Sequence, residues 1–161
     1  FKNWCNSDKV DKYVMWTKHK SEEETKELYS KWIEEYDEKT YRWIIELKDI
    51  NEVIGTIDVS KKFLTFGTCE LGYCLSDKYW NQGIMTEAAN EVVKYLFEQC
   101  EADTIWAEFL ENNPASGKVM EKVGMKYEGR LRSRTYDKNN QRNDLLVYSI
   151  LKDEYFNNKN N

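Results

Sequence analysis

The sequence predicts an α/β fold: a mixed, mostly antiparallel sheet with a single parallel step, in one domain spanning residues 1–161. Three observations predict it. The segment Glu70–Glu87, ELGYCLSDKYWNQGIMTE, reads as a half-apolar strand, a polar turn with one glycine, and the start of an amphipathic helix. The next strand-like run, Thr104–Leu110, follows that helix, so a right-handed crossover lays it parallel to Cys69–Leu75. Six Trp, eleven Tyr and six Phe supply bulky material for a packed core despite the polar average composition.

The elements follow in chain order. Phe1–Trp4, FKNW, reads as mid-helix material, so an upstream segment is expected to be missing. Ser21 before Glu22, Glu23 and Glu24 supplies an N-cap and an acidic first turn. Leu28, Trp32, Ile33 and Tyr36 then continue an apolar stripe at helical spacing. Tyr41–Leu47 and Val53–Val59 are strand-like runs joined by a turn over Lys48–Glu52. A turn near Phe63–Gly67 leads into Cys69–Leu75, and three successive strands predict an antiparallel meander. In the helix Met85–Cys100, Ala88, Ala89, Val92, Leu96 and Cys100 form the buried stripe, with Glu91, Lys94 and Glu98 facing water. Pro114 opens a short helix carrying Val119, Met120 and Val123, which Gly124 closes as a C-cap. Tyr127–Tyr136 and Asp144–Leu151 are the final strands, joined by an Asn-rich loop.

The formal net charge of -5 gives no support to nucleic-acid binding. No apolar run reaches the length of a membrane span, and no signal-peptide pattern opens the chain. Cys5, Cys69, Cys74 and Cys100 lack CxxC spacing and have only His19 to join them. No metal site is expected, and reduced thiols in a cytoplasmic protein are the simplest reading. His19 is expected at the surface or at a helix cap. Lys118 and Lys122 read as a solvated helix face.

A strand that feeds a glycine turn into a helix leaves several backbone N–H groups without partners, backed by the positive end of the helix dipole. Such a terminus takes phosphate or pyrophosphate readily. From spacing alone, that reading and an ordinary strand-to-helix turn capped by Thr86 fit equally well.

Two long motifs, ELGYCLSDKYWNQGIMTEA at Glu70–Ala89 and ENNPASGKVMEKVGMKYEG at Glu111–Gly129, resemble the GNAT superfamily of N-acetyltransferases. The closer likeness is to its RimJ/RimL branch of ribosomal-protein amino-terminal acetyltransferases, and it covers nearly the whole chain. The resemblance implies the GNAT fold, with helices on both faces of a sheet that splays at its one parallel strand pair. It also implies acetyl-CoA as co-substrate, held by the backbone N–H groups of Asn81, Gln82, Gly83, Ile84, Met85 and Thr86. Trp80 occupies a slot where other members carry Gln or Arg, and Met85 one where a second Gly or Ala is usual; Trp80 reads equally well as a core aromatic. Asn113 and Ser116 would flank the thioester, and the Leu75 N–H would stabilise the oxyanion.

Glu108 and Glu70 match positions proposed or frequently occupied by the catalytic base, although each is equally readable as a solvated strand carboxylate. Many members place a Tyr donor where this chain has Met120, which leaves Ser116 as the candidate donor to the leaving thiolate. RimL-like enzymes carry a catalytic Glu where this chain has Thr135. Cys74 near the thioester reads as a small buried residue, since no His accompanies it. The implied acceptor is a primary amine, on a protein N-terminus or a small molecule. An acyl-CoA-binding module without turnover is the rival reading. A homodimer is one option, dimers being common among relatives. The family opens with one further strand, which is expected to be missing before Phe1 and to leave an unpaired sheet edge.

Overall fold

The computed structural model describes residues 1–34, 36, 41–59 and 67–159. The elements are α1 (Asp8–Asp11), α2 (Glu22–Glu34), β1 (Arg42–Leu47), β2 (Glu52–Val59), β3 (Thr68–Leu75), α3 (Ile84–Glu98), β4 (Thr104–Leu110), α4 (Pro114–Lys122), β5 (Lys126–Tyr136), β6 (Arg142–Leu151) and α5 (Lys152–Lys159). The strands form one six-stranded sheet in the order β1-β2-β3-β4-β6-β5. Every pairing is antiparallel except β3 with β4. The predicted single parallel step is therefore present, and it comes from the α3 crossover.

The predicted ends of α2 and α4 hold. Ser21 Oγ accepts the Glu24 N–H at 3.1 Å, and Gly124 turns left-handed at φ +89 behind α4. The expected α2 stripe does not hold. Thr25 is buried and Leu28, Tyr29 and Trp32 are half-buried, whereas Ile33 is 75% exposed and Tyr36 lies beyond the helix end. The inward face runs through Thr25, Leu28, Tyr29 and Trp32 at helical spacing, and Ile33 falls to one side of it. Phe1–Trp4 is turn rather than helix. Its apolar residues are explained by a small core of Trp4, Cys5 and Val10, packed with Val53, Cys74 and Trp80. Most of the expected turn near Phe63–Gly67 lies outside the described residues.

Beyond the final strand expected to end at Leu151, the chain forms one further helix, α5. That helix folds back so that Tyr155 stacks on Phe97 at 5.0 Å and donates to Glu98 Oε1 at 2.8 Å. His19 is buried rather than at the surface; its Nδ1 lies 2.6 Å from Thr25 Oγ1, which ties the α1–α2 connection to the first turn of α2.

The main core lies between the sheet and α3 with α4, and includes Leu71, Leu75, Met85, Leu96, Phe97 and Phe109. The small core of Trp4, Cys5 and Val10 reaches Cys74 of β3. Because strand side chains alternate, Cys74, Gly72 and Glu70 project from the face opposite Leu71, Tyr73 and Leu75.

Candidate active site

The two middle strands part company. β3 and β4 pair only through Thr68↔Thr104, Cys69↔Ile105 and Glu70↔Trp106. Beyond that point β3 stays with β2 as far as Gly55↔Leu75, while β4 stays with β6 as far as Leu110↔Leu145. Gly55 helps to hold β3 on the β2 side: a Cβ there would lie 2.4 Å from the Cys74 carbonyl oxygen, so only glycine permits the approach. The result is a cleft between Leu71–Leu75 and Ala107–Leu110.

Backbone polarity inside the cleft follows from the ladder. The Ser76 N–H donates to Ile54 O at 2.8 Å, across β2. By alternation the Leu75 N–H points the other way, toward the parted edge. The Leu75 carbonyl is occupied: Trp80 Nε1 donates to it at 2.9 Å. Trp80 also meets the Tyr13 ring at 6.0 Å between centroids, so the indole braces the turn against both β3 and the N-terminal segment.

The turn itself runs through a short 3₁₀ segment, Asp77–Tyr79, and then into α3. Asn81 at φ +61 and Gly83 at φ +82 are both left-handed, which aims neighbouring N–H groups together. Gly83 is the N-cap residue of α3, and no side chain caps the helix. The Glu87 N–H returns to Gly83 O at 3.0 Å, and the N–H groups of Ile84, Met85 and Thr86 precede that first helical bond. Beyond its chain neighbours, a Cβ on Gly83 would meet nothing within 4 Å among the described residues, so the space beside this residue at the head of α3 is open. The Met85 side chain points into the core, leaving only its N–H for this face. Asp77 accepts from Ser7 Oγ at 2.8 Å and pairs with Lys9 at 3.2 Å, and these contacts hold its carboxyl below the usual range.

On the core side, α4 begins over the gap. Asn113 is its N-cap, with no side-chain capping bond. A Cβ on Gly117 would lie 2.6 Å from Phe109 Cζ, so the first turn sits directly on β4. The same turn reaches β3: Tyr73 OH donates to Ser116 O and Ser116 Oγ donates to Tyr73 OH, each at 2.9 Å. Met120 is buried to 1% exposure and offers no donor.

The opposite face carries the carboxylates. Glu70 and Trp106 are Cα partners and so share a face, and Glu108 follows two residues after Trp106. Glu108 and Trp106 line a groove of about 420 Å³ with Glu128, Leu131, Arg134 and Val147. A larger hollow of about 650 Å³ runs along α2 between Glu23 and Glu34, among charged side chains away from the cleft. The groove is the relevant one, because it contains a strand residue of the parted pair.

Asp58 of β2 joins this face opposite Gly72, next to its Cα partner Arg42, which lies 4.5 Å above the Trp32 ring. Burial pushes the Asp58 carboxyl up to about 6, with Arg42 opposing the shift and the Glu70 charge adding to it. The unfolded carboxyl ionises at lower pH than the folded one, so burying the charge costs stability as pH rises through that window. The stability difference between wild type and Asp58→Asn, read from urea unfolding, is expected to move by about 1 kcal/mol toward wild type between about pH 7 and about pH 5. A constant difference would mean that Asp58 titrates as if in water. Burial also pushes Cys74 up to about 12, leaving it a neutral thiol.

Two residues of this site, Asp58 and Tyr73, are absent from the expectations drawn from sequence. Asp58 was visible as a lone carboxylate inside the apolar run Ile57–Val59, and Tyr73 as the hydroxyl-bearing member of an inward face shared with Leu71 and Leu75. Lys118 and Lys122 are exposed on α4. Among the described residues no cluster of His, Cys, Asp and Glu has the arrangement of a metal site, and no helix is long and apolar enough to cross a membrane.

Comparison with known proteins agrees with this geometry. The family profile of the acetyltransferase (GNAT) domain matches residues 1–126. An uncharacterized N-acetyltransferase of Bacillus subtilis, YoaA, is 32% identical over 148 residues, covering 91% of this chain and 83% of the relative. The ribosomal protein uS5-alanine N-acetyltransferase of Escherichia coli is 29% identical over 82 residues, which is 50% of this chain and 42% of that enzyme. Among solved structures, a GNAT-family acetyltransferase from Bacillus anthracis superposes with TM-score 0.81 at 28% identity, covering 94% of this chain and 86% of that one. A spermidine N-acetyltransferase from Vibrio cholerae, solved with CoA and spermine, has the same fold with TM-score 0.81 at 21% identity, covering 96% and 89%.

Proposed function

This chain belongs to the GNAT acetyltransferase family, and on that footing we propose that it moves an acetyl group from acetyl-CoA to a primary amine by direct attack in a ternary complex. The observation that carries the reading is the parting of β3 from β4 beside an uncapped, open helix N-terminus. One feature supplies a slot lined by backbone groups for an extended pantetheine arm, and the other supplies donors for a pyrophosphate.

Within that reading each residue has a task. The N–H groups from Asn81 to Thr86 hold the pyrophosphate, and left-handed Gly83 shapes their array. The Leu75 N–H, turned to the parted edge, stabilises charge developing on the thioester oxygen. Trp80 keeps the turn and the end of β3 in register through its bond to Leu75 O. Glu108 takes the proton of the incoming amine, with Glu70 and Asp58 keeping that face negative and attractive to a cation. Asn113 and Ser116 border the thioester from α4. Acetyl-CoA supplies the activated acyl group, and alignment of amine and thioester supplies much of the rate.

The acceptor is a cationic amine. Both a peptide amino-terminus and a polyamine fit that description, and the relatives named above include an enzyme for each. The test is release of free CoA from acetyl-CoA with spermidine, with a peptide beginning in alanine, and with an aminoglycoside. Release that depends on one of these amines is the expected result. Acetyl-CoA binding with no amine-dependent release from any of them would instead make the chain an acyl-CoA-binding module.

A further inference from the structure

We propose that Tyr73 and Ser116 form a two-hydroxyl chain across the parted strands that steadies the leaving thiolate of CoA, Tyr73 acting through Ser116 as a positioning residue. The inference rests on the acetyl-transfer reading above and goes beyond it in assigning Tyr73, a β3 residue.

The first turn of α4 is fastened to both walls of the cleft. Gly117 seats it on Phe109 of β4, and the paired bonds to Tyr73 seat it on β3. Ser116 carries the only side-chain hydroxyl in Pro114–Lys122, and the Met120 thioether one turn later cannot donate. The Tyr73 oxygen both gives and receives a hydrogen bond, and both go to the same residue, Ser116. Its O–H rests on the Ser116 carbonyl, while the Ser116 Oγ–H rests on the phenol oxygen.

This pair can exchange its bonds without moving the backbone. If the Ser116 hydroxyl turns toward the cleft, the Tyr73 O–H can turn from the carbonyl to the vacated Oγ. A chain then runs from the phenol through the serine to an acceptor in the cleft, and each bond polarises the next. During transfer the amine nitrogen bonds to the acetyl carbon and gives its proton to Glu108, while the C–S bond breaks and its electron pair stays on sulfur. Ser116 donates a hydrogen bond to that sulfur, and neither hydroxyl gives up its proton. Water protonates the thiolate after release. Burial pushes the Tyr73 phenol up to about 12, so it remains a donor throughout the working range.

The test uses CoA itself and needs no acceptor. CoA labelled with carbon-13 at the methylene beside sulfur is bound to wild type, Tyr73→Phe, Ser116→Ala and the double variant, with affinity measured by calorimetry. The carbon shift is then followed against pH to read ionisation of the bound thiol. The expected result is a thiol that ionises about one pH unit lower on wild type than on either single variant, with little further change in the double. A merely structural Tyr73 would change affinity or stability and leave the bound thiol where it is. Tyr73→Phe retains the ring and carries the comparison for Tyr73; if it unfolds, 3-fluorotyrosine at position 73 keeps the hydroxyl and, as a stronger donor, is expected to lower the thiol ionisation further, whereas an unchanged value overturns the role of Tyr73. CoA that binds wild type and ionises at the same pH in all folded variants overturns this inference alone. CoA that does not bind wild type overturns the acetyl-transfer reading and this inference with it.

Discussion

Gly83→Glu is expected to abolish acetyl-CoA binding in a protein that still folds. The residue sits at φ +82, where any L side chain adds a backbone strain of about 1–2 kcal/mol. That strain alone is tolerable for most domains. Apart from its own chain neighbours, no atom of the described residues lies within 4 Å of the new Cβ, so the side chain starts into open space at the head of α3. A carboxylate there competes for the same N–H groups and repels the diphosphate it would replace. Gly83→Ala is the control. It carries the same strain without charge and should weaken binding while leaving it measurable. Calorimetry with acetyl-CoA, paired with thermal unfolding, separates the two contributions. Unchanged affinity in a folded Gly83→Glu protein would remove the turn from the cofactor site.

Glu108→Gln is expected to lower kcat by roughly 10²–10⁴-fold with little change in acetyl-CoA affinity. Glu108 lies on β4 just past the last β3 pairing, where it lines the groove that opens on the carboxylate face. Glutamine keeps the volume and hydrogen-bonding capacity but cannot take a proton from an ammonium. A loss confined to kcat assigns it the proton; a loss confined to KM for the amine would make it a binding carboxylate. Glu70→Gln is the companion. Its strand position is close enough to Asp58 for the two charges to interact, so it is expected to act chiefly on amine attraction. Equal kinetics in Glu108→Gln and a collapse in Glu70→Gln would reverse the two roles.

Much of the fold was legible because local signals agreed with the global arrangement. Ser21 with its glutamates, Pro114 and Gly124 marked helix ends that the structure keeps, and strand-like apolar runs marked the central strands. The stripe through Ile33 and Tyr36 misled because an amphipathic pattern does not say how far around a helix the partner surface reaches. FKNW misled for a similar reason: Trp4 is apolar because it is buried in a small satellite core, and burial does not require a helix. The weak polar run after Leu151 concealed α5, whose anchor is the long-range contact of Tyr155 with Phe97.

The candidate site shows the same division. Gly83 and the turn around it announce themselves in sequence, because a left-handed residue at a helix start is a backbone property. The Tyr73–Ser116 bonds join residues 43 positions apart and depend on where α4 lands over the parted strands. The link between Trp80 and Leu75 O likewise required the turn to be folded before the indole could be assigned a task.

The proposed acetyl-CoA contacts are the backbone amides at the start of α3 and the Leu75 amide on the parted edge of β3. Titration of nitrogen-15-labelled protein with CoA and with acetyl-CoA, followed by amide NMR, reads those groups directly. The largest shifts for both ligands are expected on Gln82–Thr86, with Leu75 responding most to the acetylated form. Shifts that cluster elsewhere while these amides stay still would contradict those contacts.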